Sequence, residues 1–232
     1  MSVALLNTPF FGIGLTFIVA LFSLYLKKKI GYALFNPMLF SMLSIIAFLL
    51  YFEIPYESYA LGGDYIMKLL GPITVVLAVP LYQHHKVLKE HVFAIFLGVG
   101  FGSLVALIFV YLFSYLFSLD ELLMRSLLPR SVTTPIGIEA SEMLEAIVGL
   151  TLLSIVITGT FGAVVASWVF KLFKIKTPIA KGVALGTSAH AIGTGRAFEF
   201  GALEGAMAGL SIAITGVYTL VWLLLFQWSG LI

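Results

Sequence analysis

The chain has 232 residues, of which 61% are apolar types and 10% are Asp, Glu, Lys or Arg, against roughly 25% charged in an ordinary soluble domain. A water-soluble globule of this length could not hide so much apolar surface, which excludes a soluble enzyme, a disordered chain and a nucleic-acid binder. The net charge of +2 marks no polyanionic partner, and the absence of Cys excludes a disulfide framework, a thiolate metal site and a cysteine nucleophile.

The chain therefore reads as an integral membrane protein whose first partner is the lipid bilayer, with one membrane domain over residues 1–232. A spanning helix needs about 20 mostly apolar residues to cross about 30 Å of hydrocarbon. Six stretches meet that need in chain order: Phe10–Leu26, Pro37–Phe52, Tyr65–Tyr82, Val92–Phe117, Ile147–Phe170 and Ala206–Trp228. Runs such as Ile45-Ile46-Ala47-Phe48-Leu49-Leu50 do not alternate as barrel strands do, so the fold class is an all-α transmembrane bundle. The first stretch carries its positive charges, Lys27–Lys29, after the apolar run and has no small-residue cleavage site, so it is expected to stay in the mature protein. Nine of the thirteen basic residues fall in three loops: Lys27–Lys29, Lys86 with Lys89, and Lys171, Lys174, Lys176 and Lys181. Glu53–Asp64 and Asp120–Glu121 are acidic instead, which puts the N-terminus outside and the lysine loops in the cytoplasm.

Two further segments do not read as plain helices. Leu122–Ala146 contains Leu128-Pro129-Arg130-Ser131-Val132-Thr133-Thr134-Pro135-Ile136-Gly137, and Ala180–Phe200 contains Gly186-Thr187-Ser188-Ala189-His190-Ala191-Ile192-Gly193-Thr194-Gly195-Arg196. Pro removes a backbone donor and Gly weakens a helix, so both segments are expected to be interrupted or re-entrant. Irregular backbone survives at membrane depth only inside protein or along a watery cavity; the alternative is an interfacial loop. Residues 130–159 also align without gaps on residues 187–216, pairing Ser131 with Ser188, Ala140 with Ala197, Glu142 with Glu199, and Thr158-Gly159 with Thr215-Gly216. Phe-Gly-x-x-Val-Ala occurs at both Phe101–Ala106 and Phe161–Ala166. A repeat whose matching parts are interrupted segments points to a transporter's binding site, inverted if each segment re-enters on its own side and parallel if both cross. Gly71–Pro80 places two prolines in one span and reads as a further kink.

The candidate site residues follow from these breaks. Arg196 is the basic residue expected deepest in the membrane, where a charge costs at least about 2.5–3.5 kcal/mol and must hold a partner. It either binds a substrate carboxylate or forms a permanent salt bridge to Glu142, Glu199 or Glu139, or snorkels to an interface. His190 either donates to the carboxylate and takes a coupled proton or makes a helix–helix hydrogen bond. Ser131, Thr133, Thr134, Thr187, Ser188 and Thr194 either complete a cage of hydroxyls or satisfy backbone carbonyls freed by the breaks. Glu139, Glu142 and Glu145, spaced by threes, form either a coupling relay or a solvated vestibule. His84, His85 and His91 have no acid or Cys to complete a ligand set, so no metal is expected. Gly201, Gly205 and Gly209 mark one stripe for close helix packing, internal or oligomeric. No nucleotide-binding or hydrolase motif appears, and neither enzyme activity nor a cofactor is expected.

Leu128 to Ile136 followed by Ser141-Glu142, and Ala184 to Ala197, closely resemble the two hallmark stretches of the LrgB/CidB family; Ile54-Pro55-Tyr56 and Gly71-Pro72 through Tyr82 resemble its earlier landmarks. One departure is Met143–Thr151, which stands where many members carry a Gly-Gly-x-x-Ser-Leu-Thr-like stretch. The resemblance implies two functions. Bacterial members are holin-like or antiholin-like proteins that affect murein hydrolase activity and autolysis, usually beside a smaller LrgA/CidA-type membrane protein. A plant relative is a plastid glycolate/glycerate translocator, and some bacterial pairs resemble facilitated pyruvate transporters. The leading expectation is thus a facilitator of small monocarboxylates in the bacterial inner membrane, with a midplane site between the two broken segments. The alternative is a holin-like oligomeric pore or its regulator.

Overall fold

A computed structural model describes residues 6–30, 37–69, 72 and 78–232. The described residues are helical, with no strand among them, and they divide into two compact units, Met1–Val76 and Leu77–Ile232.

The first unit holds α1 (Pro9–Ile30), α2 (Pro37–Tyr51) and α3 (Tyr56–Met67). α1 ends on Lys27, Lys28 and Lys29, cations that suit the negative end of a helix dipole. α3 occupies the stretch expected to be an acidic connection. A Cβ on Gly62 would lie 2.4 Å from the Pro9 carbonyl oxygen, and one on Gly12 would lie 2.3 Å from that of Tyr59. The two glycines let the backbones of α1 and α3 touch, and a Thr16–Tyr59 hydroxyl contact of 3.0 Å seals the crossing.

The second unit begins with α4 (Ala78–Gln83) and the long α5 (His85–Leu116). α6 (Glu121–Leu127) follows, capped by Asp120, whose carboxylate accepts from the Leu123 N–H at 2.7 Å. A 3-10 turn (Leu128–Ser131) leads to α7 (Thr134–Met143), then α8 (Val148–Leu172), α9 (Pro178–Phe200) and α10 (Ala202–Trp228). Across the described residues, four helices are long and apolar enough to cross a membrane: Pro9–Ile30, Lys89–Leu116, Val148–Leu172 and Ala202–Trp228. The expected six spans are thus met by four: α2 has 15 residues, about 22 Å of helix, and the stretch Tyr65–Tyr82, with its proline pair, lies partly outside the described residues. Phe101, Phe161 and Trp168 on these long helices stay more than half exposed, as lipid-facing side chains would.

Both unusual segments are interrupted. In the first, Pro129 leaves helical geometry (φ −79°, ψ 16°) and Val132 and Thr133 are extended, before Pro135 enters the first turn of α7, where its missing N–H costs nothing. In the second, α9 is broken at His190 (φ 41°, ψ −132°), a left-handed conformation that costs a non-glycine residue on the order of 1–3 kcal/mol. The chain folds back there. A Cβ on Gly193 would lie 2.4 Å from the Leu185 carbonyl oxygen, and the Lys181 ammonium sits 5.7 Å from the centre of the Phe200 ring. In a straight helix those residues would be about 12 Å and 28 Å apart, so Pro178–Ala189 and Ala191–Phe200 form a helical hairpin with His190 at its tip.

Contacts fix how the two interrupted segments lie on α8. From the tip of α9 outward, the His190 ring meets Gly159, Arg196 meets Ser167 and Phe170 meets Phe200, so the second arm of α9 runs along α8. The tip itself reaches only to the middle of α8. α6 and α7 pack on the other half: Thr151 donates to the Ser126 carbonyl (2.8 Å) and meets Ser141 Oγ (3.1 Å), while Gly137 faces Ile155. α10 turns back from the α9 arm at Gly201, with Gly205 against the Phe198 ring, and therefore runs opposite to α8. It runs alongside α5, as Gly100 meets Tyr218 and the Trp222 indole donates to Ser103 Oγ at 3.2 Å. Three apolar clusters fix these crossings, around Leu107, Leu128 and Leu223, around Ile95, Met207 and Ile214, and around Phe170, Leu185 and Ala197.

Candidate functional site

A cavity of about 790 Å³ lies within the second unit. α5 supplies one wall through Gly98, Gly102 and Ala106, and the first arm of α9 supplies another through Val183, Ala184, Thr187 and Ser188. Arg130 and Ser131, from the first break, and Thr158 of α8 complete its polar part, while His91 and Thr177 line the end nearest the starts of α5 and α9. The Lys86/Lys89 and Lys171–Lys181 groups belong to that same end, because Val183 faces Gly98 and Thr187 faces Gly102 in parallel register. Small residues make the space: a Cβ on Gly102 would press on Thr187 Cγ2 at 3.2 Å.

The expected site residues divide into those on the cavity and those beside it. Ser131, Thr187 and Ser188 line it. Ser188 donates to the Ala184 carbonyl at 2.7 Å, the usual one-turn bond of a helical hydroxyl. Thr187, by contrast, is 7% exposed and its Oγ1 has no partner. His190 is buried at the tip, where its Nε2 meets the Ile155 carbonyl at 2.9 Å. A carbonyl only accepts, so Nε2 carries the proton and the ring pins the hairpin to α8. Thr194 donates to the His190 carbonyl at 3.1 Å and so satisfies a backbone group freed by the break. Thr133 precedes α7 without a capping bond and Thr134 begins it; neither lines the cavity.

Arg196 is not among the lining residues. Because α9 turns back at His190, Arg196 lies six residues beyond the tip, about 9 Å back along the second arm. Its guanidinium binds the Glu199 carboxylate, donates to Ser167 Oγ at 2.9 Å and stacks 5.0 Å from the centre of the Phe200 ring. Glu139 and Glu142 are exposed on α7, and Glu145 lies past its end in a left-handed conformation (φ 52°), so the acid triplet does not share one helix face.

Sequence reasoning passed over Arg130 and Thr158. Arg130 is half-buried, its Nε is buried without a hydrogen-bond partner, and among the described residues it makes no ion pair. Its signal lay in the first break, where it aligns with Thr187 of the second, as Ser131 aligns with Ser188; all four line the one cavity. The site can therefore offer one guanidinium and several hydroxyls to a small anion, and no Asp or Glu lines it among the described residues.

Comparison with known proteins shows the family. The model of the LrgB-like family matches residues 16–228. The uncharacterized protein YwbG of Bacillus subtilis (strain 168) is 38% identical over 216 residues, covering 91% of this chain and 95% of the relative. No solved structure matches.

Proposed function

The chain belongs to the LrgB-like family, and from that premise we propose a membrane facilitator of small monocarboxylates, of the pyruvate, glycolate and glycerate class. The observation that carries the reading is the meeting of two interrupted helices beside the middle of α8, with a cavity between them. If α8 spans the bilayer, each arm of α9 is about 15–18 Å long, half the hydrocarbon thickness, and the tip lies near the midplane. In this reading the hairpins re-enter from opposite faces and the aligned blocks are inverted repeats. Their contacts support it, since each long helix offers the glycine of its Thr-Gly pair to the other hairpin: Gly159 to His190 and Ile192, and Gly216 to Ile136. The lysine-rich end faces the cytoplasm of a bacterial cell, and His91 and Thr177 line the cavity at that end.

The holin-like alternative drew on the Gly201/Gly205/Gly209 stripe. Two of those glycines are used within the fold, Gly201 by the Glu204 carboxylate and Gly205 by the Phe198 ring, and Gly209 alone has open space beside it. No observation favours a large pore. An LrgA/CidA-type partner and self-association belong to the proposal as conditions of the assay. The purified chain, reconstituted with and without such a partner, is expected to take up labelled pyruvate or glycolate saturably into liposomes that retain a large dye. Release of the dye, or uptake that never saturates, would replace the facilitator with a pore.

A further inference from the structure

We propose that the anion is anchored by Arg130 and not by Arg196, with Thr187 and Ser131 as its hydroxyl partners, and that this single cation restricts the site to monovalent anions. The proposal rests on the reading of the cavity as the transport site, but it concerns binding and can be tested without flux.

The argument begins with what is left unsatisfied. A buried polar atom without a partner is rare, because the lost hydration is not replaced. Arg130 Nε and Thr187 Oγ1 are both in this condition, and they line one cavity from the two separate breaks. Thr187 is 7% exposed and makes no bond one turn back, although its neighbour Ser188 does. The Arg130 guanidinium makes no ion pair among the described residues, whereas that of Arg196 already has a carboxylate, a hydroxyl and an aromatic ring. A fork of N–H donors and a free hydroxyl on one cavity can together receive a carboxylate, two oxygens against the guanidinium and the adjoining oxygen function against the hydroxyl.

Charge count sets the valence. Among the described residues, Arg130 is the one Lys or Arg lining the cavity, and no acid lines it. A monoanion neutralises the guanidinium, while a dianion leaves a net negative charge in low-dielectric surroundings, where a charge without its counterpart is costly.

The test uses the full chain purified in detergent, with binding read as the rise in thermal midpoint caused by pyruvate, acetate or malonate. Wild type is expected to be stabilised by the two monoanions, and malonate is expected to need at least about tenfold more. Arg130→Gln should weaken pyruvate binding roughly tenfold to a hundredfold, Arg130→Lys should recover part of that loss, and Thr187→Val should weaken it about two- to tenfold. Arg196→Gln should lower the midpoint of the ligand-free protein and leave the pyruvate affinity within about threefold. Should Arg130→Gln fail to fold, Arg130→Lys and Thr187→Val carry the test. Wild-type affinity in the Arg130 and Thr187 variants, loss of affinity in Arg196→Gln instead, equal binding of malonate, or no stabilisation by any anion at millimolar concentration each overturns the proposal. Arg130-dependent binding without flux in liposomes leaves this site standing and refutes the facilitator reading alone.

Discussion

Substitution of Gly159 by Ala tests the seat of the α9 tip. A Cβ at position 159 would lie 2.6 Å from both Cε1 and Nε2 of His190 and 2.9 Å from Cδ1 of Ile192. The ring has no room to swing away, because His190 is 4% exposed and its Nε2 is bonded to the Ile155 carbonyl at 2.9 Å. Overpacking of this kind costs about 1–3 kcal/mol, and pushing the ring off the carbonyl forfeits about 0.5–1.5 kcal/mol more. At about 2–4 °C per kcal/mol for a chain of this size, the thermal midpoint should fall by roughly 3–18 °C. Gly149→Ala is the control, since nothing lies within 4 Å of its added methyl and Ala is the better helix former. Midpoints are read on both variants in the same detergent. Equal midpoints would refute the docking of the tip against α8.

Gly216→Ala should cost less than Gly159→Ala, about 1 kcal/mol, because the atom it meets at 2.5 Å is the flexible end of Ile136; a larger loss than at 159 in the same melts would contradict this. Thr151→Val keeps shape but removes the bonds to the Ser126 carbonyl and Ser141 Oγ that tie the first hairpin to α8, so denaturation should reveal a loss of about 1–3 kcal/mol, and none would refute the tie. At the tip, His190→Gly relieves the left-handed backbone while His190→Ala does not; both lose the ring's hydrogen bond, so the Gly variant should be the more stable by about 1 kcal/mol, and an Ala variant of equal or greater stability would argue against the break at 190.

Composition disclosed the solvent of this chain, and the prolines and glycines disclosed where its helices fail. Pro129 and Pro135 bracket the first break, and the second lies among Gly186, Gly193 and Gly195. What they did not disclose was its centre. That falls on His190, not on a glycine, because the ring's bond to Ile155 and the socket at Gly159 hold a conformation that local preference opposes. The same fold-back moved the expected cation. Counted along an uninterrupted run, Arg196 is deep; folded back at 190, it lies toward the start of its own hairpin, beside Ser167 and Glu199. Arg130, near a short 3-10 turn with no long apolar run of its own, gave no sign of depth, yet it lines the cavity.

The absence of cysteine makes the central claim directly accessible, because Ser188→Cys places a single thiol on the cavity wall. In sealed vesicles of known orientation, a small membrane-impermeant thiol reagent should modify that residue from the lysine-rich face, pyruvate should slow the reaction, and completed modification should stop pyruvate uptake. A thiol that reacts only after the membrane is dissolved, or uptake undiminished once every thiol is modified, would contradict a solvent-filled route between the two hairpins.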